Sequence, residues 1–124
     1  MGKKSILIVD DDGFNRQIVA DILIKTDLFT VMSAPDGKLG CELAERFQPD
    51  LVLLDWNMPG LSGEEVVEQL KSNDKTKEIP VIVVTGAENM GEAEKNSELG
   101  LAGYMTKPVI ENELLTCINT ALTI

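Results

Sequence analysis

Residues 5–13 read Ser-Ile-Leu-Ile-Val-Asp-Asp-Asp-Gly, a short aliphatic run that ends abruptly in three acids and a glycine. An aliphatic run of this length bounded by turn residues is typical of a β-strand buried on both faces. The next residues change period and predict a helix whose apolar side chains face the core: Phe14, Ile18 and Ile22, with Val19 and Leu23 beside them. The stretch therefore predicts a strand, an acidic turn and a helix.

The same succession of strand and helix occurs five times along the 124 residues. Further strands are predicted at residues 29–33, 51–54, 81–85 and 101–106, and the helix at 88–98 has the fewest apolar anchors, so we expect it to pack loosely. Alternating strands and helices predict an α/β fold with a parallel sheet covered on both faces. The chain is too short for a closed eight-unit barrel, so we predict one doubly wound domain, residues 1–124, with an open five-stranded sheet.

Composition excludes several classes of function. The chain has 11 basic and 21 acidic residues and a net charge of −10, which disfavours direct binding to nucleic acid. Its aliphatic runs are far shorter than the roughly 20 residues that span a bilayer, and no signal peptide is recognisable, so we expect no membrane insertion. Cys41 and Cys117 lack the spacing of a metal or redox pair, which favours the reducing cytoplasm. The chain has no histidine, so its chemistry must use carboxylates, hydroxyls and lysine.

Polar residues stand at the carboxyl ends of the predicted strands, where open parallel sheets bind their ligands. They are Asp10 and Asp11 after the first strand, Asp55 after the third, Thr85 at the end of the fourth and Lys107 after the fifth. Each has an ordinary explanation when it is taken alone: an acid can cap a helix, and a lysine can be a solvated surface cation. An acid that ends a fully aliphatic strand, as Asp55 does, is costly to bury without a partner. The convergence of all five groups on one edge indicates a site.

The residue types indicate the chemistry of that site. Carboxylates gathered within a few ångströms repel one another, so either their pKa values rise or a cation binds among them. Oxygen ligands without His or Cys favour Mg²⁺. An acidic metal pocket beside a lysine and a hydroxyl suits phosphoryl transfer, with a carboxylate as the nucleophile. Asp55 is the best candidate nucleophile.

Four motifs carry a resemblance to a known family: Ile8-Val9-Asp10-Asp11, Asp55-Trp56-Asn57-Met58-Pro59-Gly60, Val84-Thr85-Gly86-Ala87 and Gly103-Tyr104-Met105-Thr106-Lys107-Pro108. With these motifs in order over nearly its whole length, the chain resembles the receiver domains of two-component response regulators, of the chemotaxis-regulator (CheY-like) type. The resemblance implies a flavodoxin-like sheet with the strand order 2-1-3-4-5. It also implies a phosphorylation-activated switch rather than an enzyme, one that catalyses only its own phosphorylation and dephosphorylation.

The resemblance assigns the site residues. Asp55 would accept a phosphoryl group from a phosphohistidine of a sensor histidine kinase or histidine phosphotransfer protein. Mg²⁺ would be held by Asp11 directly, by Asp10 largely through water, by Asp55 and by the backbone carbonyl of Asn57. Because no output module follows the last predicted helix, the chain would act by protein contact.

The resemblance also implies a moving part. Lys107 would pair with the phosphoryl oxygens, and the Lys107-Pro108 peptide would be cis. Thr85 would move to hydrogen-bond the phosphoryl group, and Tyr104 would swing inward to fill the space that Thr85 leaves.

Two other classes share parts of this pattern. In a haloacid-dehalogenase-like phosphatase, Asp10 would be the nucleophile and Asp12 the general acid, but no acidic pair ends a strand after Lys107. In the receiver, Asp12 is an extra acid that can cap the following helix. A flavin carrier would need a phosphate-binding loop after the first strand, and three aspartates there would repel a phosphate.

Overall fold

The computed structural model describes residues 2–95 and 100–122, with the side chain of Lys95 left out. The strands of this part of the chain are β1 Lys4–Val9, β2 Phe29–Ala34, β3 Leu51–Leu54, β4 Val81–Thr85 and β5 Gly103–Thr106. Its helices are α1 Gly13–Lys25, α2 Gly37–Phe47, α3 Gly63–Ser72, α4 Ala87–Lys95 and α5 Glu111–Leu122. All neighbouring strands pair in parallel, in the order β2-β1-β3-β4-β5. The predicted doubly wound fold and its strand order are confirmed.

The strand order reverses between β1 and β3. The chain moves outward from β1 to β2, and then crosses back to place β3 on the other side of β1. Helices that follow neighbouring strands on opposite sides of such a reversal leave a crevice at the carboxyl edge. Asp10 and Asp55 follow these two strands directly, so the fold places both acids at the crevice.

The core has two layers because successive side chains of a strand point to opposite faces. In β1, Leu7 and Val9 pack on the α2–α3–α4 side, whereas Ile6 and Ile8 pack on the α1–α5 side. All four are at most 2% exposed. Burying one such aliphatic side chain contributes about 1.5 to 3 kcal/mol, and this burial fixes the strand edge that carries the acids.

The predicted apolar face of α1 is wrong in part. Phe14 is 76% exposed and Ile18 is 37% exposed, whereas Val19 and Leu23 are buried. A four-residue spacing identifies a stripe but does not fix the rotation of the helix about its axis, and the neighbouring stripe is the one that faces the sheet. Phe14 also lies in the first turn, beyond the end of β1, where the sheet offers it no cover.

Element ends differ slightly from the prediction. β5 begins at Gly103 rather than at residue 101, after Gly100 in a left-handed conformation with φ of 77°. α4 begins at Ala87, and the predicted end of this helix at residue 98 lies outside the described residues. Ala93 is the buried side chain among residues 87–94, which agrees with a sparsely anchored helix. Among the helices of the described ranges, none combines the length and the apolar character that a membrane crossing requires.

Candidate functional site

Backbone hydrogen bonds beyond the strand ends position the two central acids. The N–H of Asp55 donates to the carbonyl oxygen of Val9 at 2.9 Å, and the N–H of Asp10 donates to that of Ala34 at 3.1 Å. The parallel ladder therefore continues one residue past β1 and β3. Asp10 is 3% exposed and Asp55 is 6% exposed, while Asp11 on the following turn is exposed. The ladder thus holds two carboxylates in a crevice and a third at its mouth.

The acids form a tight cluster. One carboxylate oxygen from each of Asp10, Asp11 and Asp55 lies within 4.8 Å of the other two. The Lys107 ammonium lies 3.1 Å from Oδ2 of Asp10 and 3.2 Å from Oδ2 of Asp55. One lysine against three carboxylates leaves the crevice with excess negative charge, and hard oxygen ligands of this kind fit Mg²⁺.

Electrostatics inside the crevice follow from burial. Burial raises the pKa of Asp55, and the Asp10 carboxylate raises it further, against the opposing effects of Lys107 and of the Asn57 backbone N–H. Burial alone would lower the pKa of Lys107, but its hydrogen bonds and ion pairs with Asp10 and Asp55 outweigh burial, so the pKa of Lys107 is raised. The ammonium is therefore charged at neutral pH, and ionised Asp55 is destabilised relative to a solvated aspartate.

The carboxylate of Asp10 is enclosed by donors. Its Oδ1 accepts a hydrogen bond from the backbone N–H of Asp12 at 2.9 Å, and its Oδ2 accepts one from the side-chain amide of Asn15 at 2.7 Å. Asp11 differs, because its side chain has no hydrogen bond or ion pair within the part of the chain that the structure describes. The two neighbouring acids are thus unequal: Asp10 is held by the protein, and Asp11 is available to a ligand.

Sequence reasoning missed Asn15 as a site residue. The one signal is an amide in the first turn of the helix, five residues after Asp10, and such a residue is common on a solvated helix. Asp12 caps α1, as anticipated: its carboxylate accepts hydrogen bonds from the N–H groups of Phe14 at 3.0 Å and Asn15 at 3.3 Å. Asp12 is outside the three-carboxylate cluster.

The remaining predicted residues lie on β4 and β5 or in the loops that follow β3 and β5. Thr85 ends β4 and is 1% exposed. Asn57 is exposed, and its N–H donates to Oδ1 of Asp55 at 3.3 Å. Tyr104 is half-buried, and its buried hydroxyl has no hydrogen-bond partner in the described part of the structure. The Lys107-Pro108 peptide is cis, as the resemblance implied.

A cleft of about 880 Å³ lies elsewhere, between α2 and α3. Its lining combines both signs of charge, for example Lys38, Glu42 and Arg46, and lacks a cluster of ligating groups. Among the described residues, the ligating side chains therefore cluster at the sheet edge and not in this cleft.

Comparison with known proteins decides the family. The model of the response regulator receiver domain matches residues 6–119. The chain belongs to this family. The receiver domain is 33% identical over 119 residues to the polar-differentiation response regulator DivK of Brucella anthropi, and the match covers 96% of each chain. It is 38% identical over 118 residues to a Vibrio cholerae protein described as a "Probable cyclic di-GMP phosphodiesterase", of which the match covers only 26%. The chain thus spans about a quarter of that relative.

Solved structures agree with this assignment. The present chain superposes on the chemotaxis protein CheY4 of Vibrio cholerae with a TM-score of 0.88 at 25% identity, over 97% of this chain and 99% of the other. A receiver domain of Clostridium thermocellum gives a TM-score of 0.87 at 28% identity, with 96% and 94% coverage. The receiver domain of the Pseudomonas aeruginosa sensor histidine kinase PA1611, described with a magnesium ion in its active-site cleft, gives 0.89 at 24% identity, with 99% and 100% coverage.

Proposed function

We propose that this receiver domain is a phosphorylation-activated switch in which Asp55 accepts a phosphoryl group, in a Mg²⁺-dependent reaction, from a phosphohistidine of a sensor histidine kinase or histidine phosphotransfer protein. The observation that carries the proposal is the cluster of carboxylates at the edge of the sheet, where the strand order reverses between β1 and β3. Three carboxylates lie within 4.8 Å of one another, and the Lys107 ammonium lies 3.2 Å from Asp55. This arrangement supplies a nucleophile, a cation site and a positive charge for the transferred group.

The proposed Mg²⁺ ligands follow from the family and from the protein contacts of each acid. Asp11 and Asp55 would bind Mg²⁺ directly, together with the backbone carbonyl of Asn57. Asp10 would act largely through water, as the receiver-domain family implies, while its two oxygens stay hydrogen-bonded to the Asp12 N–H and the Asn15 amide. When bound, Mg²⁺ supplies the positive charge that offsets the crowded carboxylates and the oxygens of the transferred group. The magnesium-containing relative has the same fold, which is consistent with this site.

The transfer itself would be a direct displacement at phosphorus. A carboxylate oxygen of Asp55 forms a bond to phosphorus while the P–N bond of the donor breaks, and the bonding electron pair stays with the imidazole. The product is an aspartyl phosphate. Lys107 would exchange part of its contact with Asp55 for the phosphoryl oxygens.

The phosphoryl group would then change the surface. It adds about −1.5 to −2 charge and three acceptor oxygens at the sheet edge. Thr85 would turn its hydroxyl toward these oxygens, and Tyr104 would follow. Among the described residues the buried Tyr104 hydroxyl has no hydrogen-bond partner, and leaving a buried polar group unsatisfied costs about 1 to 3 kcal/mol, which supports a side chain with more than one position. The output would be a changed protein-binding surface. The domain would span residues 1–124 and act in the cytoplasm.

The phosphatase alternative is less well supported. It needs Asp12 as a general acid, but the Asp12 carboxylate already accepts hydrogen bonds from two backbone N–H groups and caps the start of α1. It also leaves Asp55, which is paired with Lys107, without a role.

The test is phosphorylation with a small acyl phosphate and Mg²⁺, followed by measurement of the intact mass. Wild type is expected to gain one phosphoryl group, and Asp55→Asn none. Asp12→Asn is the matched control, because it removes a neighbouring acid that caps a helix, and it should be labelled like wild type. Equal labelling of wild type and Asp55→Asn would end the proposal.

A further inference from the structure

The Asp10 carboxylate contacts three donors of the protein. The Asp12 N–H and the Lys107 ammonium contact it at 2.9 Å and 3.1 Å. The side-chain amide of Asn15 makes the shortest of these contacts, 2.7 Å to Oδ2. Asn15 is uncharged, so its contact orients the carboxylate without neutralising it.

We propose that Asn15 is a positioning residue of the metal site: it holds the Asp10 carboxylate in one orientation and thereby favours Mg²⁺ over the larger Ca²⁺. This inference rests on the proposed function, since it assumes that the acid cluster binds a divalent cation. It assigns to Asn15 a role in cation selectivity.

Selectivity between Mg²⁺ and Ca²⁺ depends on how many carboxylate oxygens the site can offer. Mg²⁺ demands near-ideal octahedral geometry, keeps several waters and is usually bound by one or two carboxylates. Ca²⁺ takes six to eight oxygens and often binds a carboxylate through both of its oxygens. An Asp10 whose Oδ1 and Oδ2 are both occupied by protein donors cannot readily turn to supply two oxygens. Without the amide of Asn15, Oδ2 keeps its contact with the mobile Lys107 ammonium at 3.1 Å but loses its shorter contact with the helix, so the carboxylate can turn and the site can adapt to the larger ion.

Asn15 is itself well placed for this task. It is half-buried in the first turn of α1, and its backbone N–H is bonded to the cap residue Asp12. Arg16, the next residue, donates from Nη1 to the carbonyl oxygen of Asp10 at 2.7 Å. The same helical turn therefore holds the backbone and the side chain of Asp10.

The experiment compares Asn15→Ala with Gln17→Ala. Gln17 carries an amide on the same helix, but it is exposed and donates to Asp21 at 2.7 Å, away from the acid cluster. Dissociation constants for Mg²⁺ and Ca²⁺ are measured by fluorescence of Trp56, which adjoins Asp55, at a temperature where thermal unfolding shows each variant to be folded. A loss of a residue that orients a metal ligand typically weakens metal binding 10- to 100-fold.

We expect Asn15→Ala to bind Mg²⁺ about tenfold more weakly than wild type while its affinity for Ca²⁺ is retained or increased. Gln17→Ala should behave like wild type. An unchanged ratio of the two affinities in Asn15→Ala, whether both constants stay the same or both weaken equally, would overturn the inference. A wild type that binds neither cation would instead refute the metal site of the proposed function, and the inference with it.

A second readout needs no metal. In the metal-free protein, the side-chain amide resonances of Asn15 should shift in Asp10→Ala and stay in place in Asp11→Ala. If the Asn15 amide resonances do not shift in Asp10→Ala, the 2.7 Å contact is absent in solution, and this result would contradict the inference.

Discussion

The backbone N–H of Lys107 donates a 2.8 Å hydrogen bond to the carbonyl oxygen of Thr85. This bond extends the β4–β5 ladder past the pair Thr85 and Thr106. The side chain of the same lysine reaches across to Asp10 and Asp55. A change of charge at Asp55 therefore acts on Lys107, whose backbone is hydrogen-bonded to Thr85. This hydrogen bond links the acid cluster to the strand end that we expect to move.

Replacing Lys107 should destabilise the fold. Lys107→Met leaves the Asp10 and Asp55 carboxylates facing each other without a counter-charge. Removal of one partner from a fully buried pair costs about 3 to 5 kcal/mol, and the Lys107 side chain is 24% exposed, so we expect a smaller loss, about 1 to 3 kcal/mol, in the free energy of unfolding from urea denaturation. Lys77→Met removes only the surface pair with Asp74 and should change stability by less than about 1 kcal/mol.

The pH dependence of the Lys107 contribution has a definite sign. The pKa of Lys107 is raised in the folded state, so its stabilising effect is fully present below the ordinary value of 10.5 and is lost as the pH rises through the folded-state pKa. The difference in stability between wild type and Lys107→Met should therefore be constant near neutral pH. A difference that disappears at pH 7 would contradict the ion pairs.

Asp55→Asn should stabilise the metal-free protein. The pKa of Asp55 is raised, so the folded state pays for ionising this group, and stability falls as the pH rises through the folded-state pKa. At pH 7 we expect a gain of about 0.5 to 2 kcal/mol, the common size of a stabilising substitution. The gain should vanish at a pH below the ordinary value of 3.8. The exposed Asp74→Asn is the control, and a loss of stability in Asp55→Asn would contradict the account.

Mg²⁺ should raise the melting temperature through Asp11. A ligand that binds only the folded state stabilises it by about 2.7 kcal/mol at 100 times its dissociation constant. Asp11→Asn should abolish most of this effect, because the Asp11 carboxylate is the one without a protein partner among the described residues. Asp12→Asn should retain it, since asparagine also caps helices. Equal responses of the two variants in thermal scans would contradict the assignment.

Cys41 should react slowly with alkylating reagents. Burial, with a smaller effect of the Glu42 charge, raises the pKa of the Cys41 thiol from 9.0 to about 11. Because the thiolate is the reactive form, alkylation at pH 8 should be about 100-fold slower in the folded than in the urea-unfolded chain. Cys117→Ser isolates the signal of Cys41. Equal rates before and after unfolding would show that Cys41 is solvated.

The fold could be predicted from the sequence because aliphatic strand residues give way abruptly to polar or turn residues. The aliphatic run up to Val9 and the run up to Leu54 stop at acids, and both acids lie at the reversal of strand order. Cap chemistry is equally local: the carboxylate of Asp12, the residue before α1, accepts the N–H groups that follow it, as its place in the sequence indicated. These features depend on residues that are close in the sequence, so pattern alone identified them.

Contacts that depend on helix orientation could not be read from the pattern. The rotation of α1 that exposes Phe14 and Ile18 is set by how its other side packs on the sheet. The same rotation brings Asn15 to Asp10. Both results arise from tertiary packing, which a four-residue period does not specify.

The most direct measurement is the position of the acquired phosphoryl group. After incubation with an acyl phosphate and Mg²⁺, borohydride reduction converts an aspartyl phosphate to homoserine, and peptide mass spectrometry locates the altered residue. We predict modification at residue 55, dependent on Mg²⁺. Modification at residue 10 instead, as a phosphatase would give, or no modification at residue 55, would contradict it.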